Sequence, residues 1–310
     1  MFSYRHGFHA GNHADVLKHI TQIALLQYLT QKDTPLTVID THAGAGLYRL
    51  DGDYANQSGE AEEGILRLLK QKTQDETINA YRALIAQFNS GNLLSQDTKI
   101  YPGSPFITHK LLRFDDRLRL FELHPNDHRA LEGNVEQLRA NRQIAVKRED
   151  GFEALKSLLP PPKSATGSRR ALVLIDPSYE IKSDYAKVEF HIQDCLKRFA
   201  TGCYAVWYPI IPRQEAHGLP RRLKTIASQA GKPFLHATLN IGGGALDMDA
   251  VGTFAAHKTR VGAGSVNRGL TASGMCIINP PHTLKDTLEA ALPELVRYLG
   301  RGKGQGFTVE

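Results

Sequence analysis

Seven short apolar runs, at residues 36–40, 118–122, 144–147, 171–176, 203–208, 234–241 and 274–279, alternate with longer stretches of helical period along the 310-residue chain. Alternation of this kind commits a chain to a mostly parallel sheet with helices on both faces, because parallel neighbours must be joined by crossovers. The helical stretches fall at 14–29, 60–88, 106–113, 127–139, 152–159, 185–199, 221–230 and 284–299. No long helical pattern separates the last two runs, so the final strand is expected to be antiparallel on a doubly wound sheet.

Two segments fit the alternation badly. Residues 48–98 are rich in Gln, Glu and Lys and carry two helical patterns without a convincing strand, which predicts a small helical insertion in a single domain spanning 1–310. Residues 242–271 are rich in Gly, Ala and basic side chains without periodicity and read as a long loop, a length that is usually either functional or disordered. The stretch from Arg301 reads as a frayed tail, and no internal repeat is visible.

With 41% hydrophobic and 23% charged residues, the composition is that of a chain that buries a core rather than one that stays disordered. There is no apolar run of 18 residues, and the polar, histidine-rich start is unlike a signal peptide, so a cytoplasmic protein with no membrane partner is expected. Cys195, Cys203 and Cys276 form no C-x-x-C pair and read as buried thiols. A net charge of +6 is compatible with a polyanionic partner without establishing one.

The first strand runs into Asp40-Thr-His42-Ala-Gly44-Ala-Gly46. Glycines at the carboxyl end of a parallel strand let the backbone approach a ligand closely. Taken alone, such a turn fits a dinucleotide, a methyl donor or a simple tight turn. In an uninterrupted unit of this type, the acidic residue for the ribose hydroxyls follows about 20 residues after the glycines. Here the next strand ends at Glu122, which is too far unless the insertion separates the glycine turn from its helix. That helix would start at Pro102-Gly-Ser104-Pro105, with Ser104 as N-cap and Pro105 at the first helical position. Glu122 then stands where a ribose ligand belongs, and Gly44 and Gly46 are expected to meet Ser104 in space. Asp150-Gly151, at the end of the third run, supplies either an acceptor for a cofactor's adenine amine or an ordinary helix cap.

The fourth run ends in Asp176-Pro177-Ser178-Tyr179. An adenine amine is a poor nucleophile because its lone pair is delocalised into the ring. A carboxylate from Asp176 and a carbonyl from Pro177 can each accept one N6 hydrogen, while Tyr179 is placed to stack on an extruded base. Asp-Pro after a strand is also an ordinary turn starter.

The tetrapeptide resembles the Asp/Asn/Ser-Pro-Pro-aromatic signature of amino-group methyltransferases. The chain as a whole resembles the bacterial RlmJ-type family of adenine-N6 methyltransferases of 23S, large-subunit ribosomal RNA. The resemblance rests on Ser3-Tyr-Arg-His6, the run from Phe8 to His19, Asp40 to Gly46, Tyr101-Pro-Gly-Ser-Pro105, Glu122-Leu-His-Pro125, Asp150-Gly-Phe152, Asp176 to Tyr179, Trp207-Tyr-Pro209 and Thr271-Ala-Ser-Gly-Met275. It implies a Rossmann-like class I methyltransferase fold, α/β, with a seven-stranded mostly parallel sheet and an antiparallel last strand. It implies S-adenosyl-L-methionine as cofactor, held by His19, His42, Ser104, Glu122, Asp150, Gly151 and Asp176 together with the glycine turn. Asp176 would also be catalytic, and Tyr4 would reach the target base from an N-terminal arm. Ribosomal RNA before full assembly would be the substrate, with no obligate protein partner and a monomeric enzyme. The family's second proline is Ser178 here, which removes a fixed backbone angle.

His6, His9, His13 and His19 match no familiar zinc spacing, so no metal is expected. Lys18 and His19 are better read as a helix end packed beside the cofactor. Two rival functions use the same residues: a methyltransferase for a protein glutamine amide, which normally has Asn in place of Asp176, and a silent RNA-binding module, for which Ser178 speaks. Candidate RNA contacts are Lys163 with Arg169 and Arg170, Arg221 with Arg222 and Lys224, and the basic residues from His257 to Arg268.

Overall fold

Side chains of successive strand residues point to opposite faces, and here both faces are covered. On one face Val38, Leu172, Leu174, Ala205, Met275 and Ile277 join a core with Val16, Leu17, Leu288 and Leu292. On the other, Ile39, Val173, Ile175, Val206, Cys276 and Ile278 pack with Phe152, Val188, Ile192, Leu219 and Leu223.

A computed structural model describes residues 6–52, 59–89, 98–140, 142–165, 167–243 and 270–310. Its strands are β1 (Thr37–Asp40), β2 (Leu47–Arg49), β3 (Ile100–Pro102), β4 (Arg117–Phe121), β5 (Ile144–Lys147), β6 (Ala171–Ile175), β7 (Cys203–Pro209), β8 (Phe234–Asn240), β9 (Ala272–Ile278) and β10 (Gly306–Val309). Its helices are α1 (His13–Leu29), α2 (Glu60–Glu63), α3 (Ile65–Leu69), α4 (Glu76–Gln87), α5 (Ser104–Leu111), α6 (Pro125–Glu136), α7 (Gly151–Leu158), α8 (Ser183–Arg198), α9 (Gln214–Gln229) and α10 (Leu284–Leu299).

The main sheet has the order β10-β8-β9-β7-β6-β1-β4-β5. β1 pairs in parallel with β4 on one side and β6 on the other, and β9 runs antiparallel between β7 and β8. This is the Rossmann-like arrangement of class I methyltransferases. The chain order reverses at β1, and ligands bind such sheets outside the carboxyl ends at that point. The registers keep those ends level: Asp40 stands opposite Leu120 and Leu174, and Phe121 opposite Lys147.

The structure departs from the sequence expectations at four places. The tail is not frayed: Gly306–Val309 forms β10 and extends the seven expected strands to eight by pairing with the outer edge of β8. An edge strand rests on backbone pairing and needs little apolar pattern, so Gly-Phe-Thr-Val gave no signal. Residues 47–49 and 100–102 pair antiparallel, and this ribbon carries the chain into and out of the segment holding α2, α3 and α4. The expected helix at 60–88 is three helices. Gly64 breaks it because it lies on the backbone of Gly11 and Asn12, where a Cβ would come within 2.1 Å of the Gly11 oxygen. Asp75 then caps α4 by accepting from the Ile78 amide. Finally, α9 begins at Gln214 rather than 221, running through Gly218 and an internal Pro220 that disguise its first two turns.

Candidate functional site

The loops that leave β1, β4, β5 and β6 enclose a cavity of about 370 Å³. His19, His42, Gly44, Ser104, Glu122, Asp150, Gly151, Asp176 and Pro177 all line it, so these sequence-derived candidates from six separate segments are brought together. Gly46 is not in the lining. Its φ of +78° closes the turn, and a Cβ there would collide with Phe106 and Leu131 at 2.8 Å. Its carbonyl accepts from the Gly103 amide at 2.8 Å, which ties the glycine turn to the start of α5 across the insertion.

The start of α5 is shifted by one residue from the expectation. Gly103 is the N-cap, and Ser104 is the first helical residue. Freed from capping, Ser104 Oγ donates to Asp40 Oδ2 at 2.6 Å. Burial raises Asp40 to about 6, against the opposing hydrogen bonds from Ser104 and the His42 amide.

Glu122 is held by two backbone donors. Its Oε2 accepts from Gly44 N at 2.9 Å and its Oε1 from His124 N at 2.7 Å. Burial raises its pKa, and these two bonds oppose the rise. Each oxygen keeps a lone pair for another donor. Asp150 is the N-cap of α7, with Oδ1 accepting from Phe152 N at 2.9 Å. The cap does not exclude a ligand, because Oδ2 has no partner among the described residues. Gly151 is there for packing: a Cβ would lie 2.1 Å from the Thr41 oxygen.

His19 is fully buried and reaches Tyr101 Oη at 2.8 Å through Nδ1, while its Nε2 has no partner among the described residues. Burial lowers its pKa to about 3 and that of His42 to about 4, so both rings are neutral at physiological pH. His42 packs edge-on against Phe152 at 4.9 Å and shares Nδ1 with Thr41 Oγ1 at 2.8 Å.

On the β6 side, Asp176 Oδ2 accepts from Lys18 Nζ at 2.6 Å. Lys18 also pairs with Asp15 Oδ1 at 2.8 Å, and Asp15 takes His6 Nε2 at 3.1 Å. Burial opposes charge on both Asp15 and Lys18, yet each is held strongly ionised by its partners: His6 and Lys18 depress Asp15, and the two carboxylates raise Lys18. Pro177 is buried and Ser178 exposed.

Tyr179 is placed differently from its sequence assignment. The ring is 2% exposed, packs 4.6 Å from Tyr185 and donates its hydroxyl to the Trp207 carbonyl at 2.7 Å. A φ of +53° at this residue turns the side chain into the core, where it cannot stack on a base without leaving its pocket. Tyr4 lies outside the described residues, and so do residues 244–269 with the basic side chains from His257 to Arg268. Three other proposed RNA contacts are occupied within the chain: Arg169 donates to the Pro161 carbonyl, Arg170 to the Thr34 carbonyl, and Arg222 pairs with Glu189.

Sequence reasoning left Asp40 unassigned and gave Lys18 no partner. Asp40 had a signal, as the last residue of the strand before the glycine turn. Lys18 had one too, three residues after Asp15 and therefore on the same helix face.

A site at the switch point of this sheet, with a glycine turn on one wall and Asp-Pro on the other, defines a methyltransferase of the Rossmann-like class. The chain belongs to the RlmJ family: the family model described as ribosomal RNA large subunit methyltransferase D, RlmJ, matches residues 33–243. Ribosomal RNA large subunit methyltransferase J of Escherichia coli is 40% identical over 297 residues, which cover 95% of this chain and 93% of that protein. The protein of the same name from Haemophilus influenzae is 39% identical over 310 residues, covering 100% and 98%. The crystal structure of a Legionella pneumophila protein superposes with a TM-score of 0.78 at 33% identity, covering 97% of this chain and 98% of that one.

Proposed function

We propose that the chain transfers a methyl group from S-adenosyl-L-methionine to N6 of an adenine in large-subunit ribosomal RNA. The observation that carries this reading is the placement of Asp176 and Pro177 on the wall of a cavity that also presents Glu122 and Asp150. The cavity suits the cofactor: its volume is in the range of small-molecule sites, and His19, whose buried Nε2 has no partner among the described residues, belongs to its lining. Glu122 would accept from the ribose hydroxyls and Asp150 Oδ2 from the adenine amine, with Phe152 and Leu123 as apolar walls. If Nδ1 of neutral His19 accepts from Tyr101, Nε2 carries the proton and would be a donor available toward the cofactor's polar end.

When bound, the cofactor supplies an electrophilic methyl group on a sulfonium. The chain's own residues prepare the amine. Asp176 Oδ1 and the Pro177 carbonyl each accept one N6 hydrogen, which turns the nitrogen lone pair out of conjugation and toward the methyl. Lys18 fixes the Asp176 carboxylate through the other oxygen, and the proton released after transfer passes to Asp176 or solvent. The target adenine must leave its stack to enter the cavity, which favours RNA not yet locked into a finished subunit. Comparing methyl transfer to naked large-subunit RNA and to assembled subunits tests this order. Equal rates on both would remove the preference for unassembled RNA.

A further inference from the structure

The loop that carries Asp176 and Pro177 lacks the second proline of its family signature, and the structure shows what holds it instead. Arg213, at the N-cap of α9, donates Nη1 to the carbonyl of Tyr179 at 3.0 Å and to that of Glu180 at 3.3 Å. Tyr179 sits in the left-handed region at φ +53°, a conformation a bulky aromatic adopts only when its surroundings impose it. The ring end is held by its packing against Tyr185 and by its hydroxyl on the Trp207 carbonyl, and the backbone end by the guanidinium on its carbonyl. A second link from the loop to α9, Lys182 with Glu215 at 3.2 Å, has a lysine side chain 74% exposed and holds little. Ser178 itself is exposed and makes no hydrogen bond among the described residues, so it restrains nothing.

We infer that Arg213 is a positioning residue for methyl transfer: by bridging the carbonyls of residues 179 and 180 it imposes on the loop the order that a proline at 178 would supply. The inference rests on the proposed role of Asp176. Two successive carbonyls that converge on one cation repel each other once it is gone, and the backbone of Tyr179 is then held at positive φ only from its ring side, by the packing against Tyr185 and the hydroxyl on Trp207. Pro177 and Asp176 lie two and three residues upstream, so a shift of this backbone moves the two acceptors that must align with N6. Arg213 itself touches neither cofactor nor base, and cofactor binding through Glu122 and Asp150 on the far wall is independent of it.

The experiment is a double-substitution cycle with Arg213→Ala and Ser178→Pro, read by steady-state methyl transfer to unmodified ribosomal RNA and by calorimetric binding of S-adenosylmethionine. In the Ser178 background, Arg213→Ala is expected to lower kcat about tenfold or more while the cofactor Kd stays within about twofold. In the Ser178→Pro background, where no backbone hydrogen bond is lost by the substitution, the same change is expected to cost less than about threefold. Unchanged kcat in Arg213→Ala overturns the inference. So does an equal loss in both backgrounds, or a loss confined to KM for RNA, which would make Arg213 an RNA contact. Should Arg213→Ala fail to fold, Arg213→Gln carries the same cycle with the same outcomes. Asp176→Ala is assayed alongside: if it stays active, the reading of the loop fails whatever Arg213 does.

Discussion

Lys18 Nζ lies 2.6 Å from Asp176 Oδ2, so helix α1 supplies the counter-charge for a carboxylate at the end of β6, 158 residues further along the chain. The same ammonium holds Asp15, which is 2% exposed. Removing the lysine takes the shared counter-charge from both carboxylates and leaves Asp15 with His6 alone, a far more costly change than losing a surface pair. Lys18→Met is expected to lower stability by about 3 kcal/mol in urea titration and kcat by about a hundredfold. Lys18→Arg keeps the charge and should retain more of both. A Lys18→Met enzyme with full activity would show that Asp176 needs no partner.

Glu122 is held by the Gly44 and His124 amides, so its geometry is set before any ligand arrives. Glu122→Gln would turn an amide NH₂ toward one of those N–H donors and remove the charge that the ribose hydroxyls would meet. The expected result is a cofactor Kd about tenfold higher by calorimetry, with a melting temperature shifted by only a few degrees. An unchanged Kd would place the ribose elsewhere.

Gly151 has no room for a side chain, because a Cβ would stand 2.1 Å from the Thr41 oxygen and 2.6 Å from its Cα. Gly151→Ala must therefore push α7 away from the end of β1. A loss of about 1–3 kcal/mol is expected, together with weaker cofactor binding as Asp150 moves with its helix. Wild-type denaturation and binding would mean that the backbone yields there without cost.

Burial holds His13, His19 and His42 at about 4, 3 and 4, against 6.5 in an open chain. Once unfolded, these rings take up protons below pH 6.5. Their contribution to stability is therefore fully present above that pH and is lost on acidification toward 4, at about 1.4 kcal/mol per pH unit for each ring. Asp40 works the other way: raised to about 6 by burial, it adds stability below its ordinary 3.8 and loses it as pH rises through 6. Glu122, also raised by burial, acts in the same direction as Asp40, but the three rings outweigh the two carboxyls, so the urea midpoint at pH 5 should lie below that at pH 7.5. His13→Gln should flatten the dependence by up to one proton, and an unchanged slope would mean that His13 is protonated in the folded protein.

The parts of this molecule legible in its sequence are those that depend on local pattern. Fully apolar runs such as 171–175 located the parallel strands because both of their faces are buried, and the spacing from Ser104 to Glu122 located the end of β4. Long-range pairing left no such trace. β10 pairs by backbone on an open edge, and β2 and β3 are three residues each. Position did not determine direction either. The order Asp-Pro-Ser-Tyr put an aromatic near the site, but the positive φ at Tyr179 turns it into the core. The groups that bond this residue, Trp207 and Arg213, lie about 30 residues downstream. Lys18 and Asp176 meet only because the fold lays α1 against the end of β6.

The measurement that bears most directly on the central claim is methyl transfer from labelled S-adenosylmethionine to unmodified large-subunit ribosomal RNA, with the product digested to nucleosides and identified by mass spectrometry. N6-methyladenosine is expected from the wild-type protein and none from Asp176→Ala, with both proteins folded and both binding the cofactor. Methylation at another nucleoside, or N6-methyladenosine from Asp176→Ala at the wild-type rate, would contradict that claim.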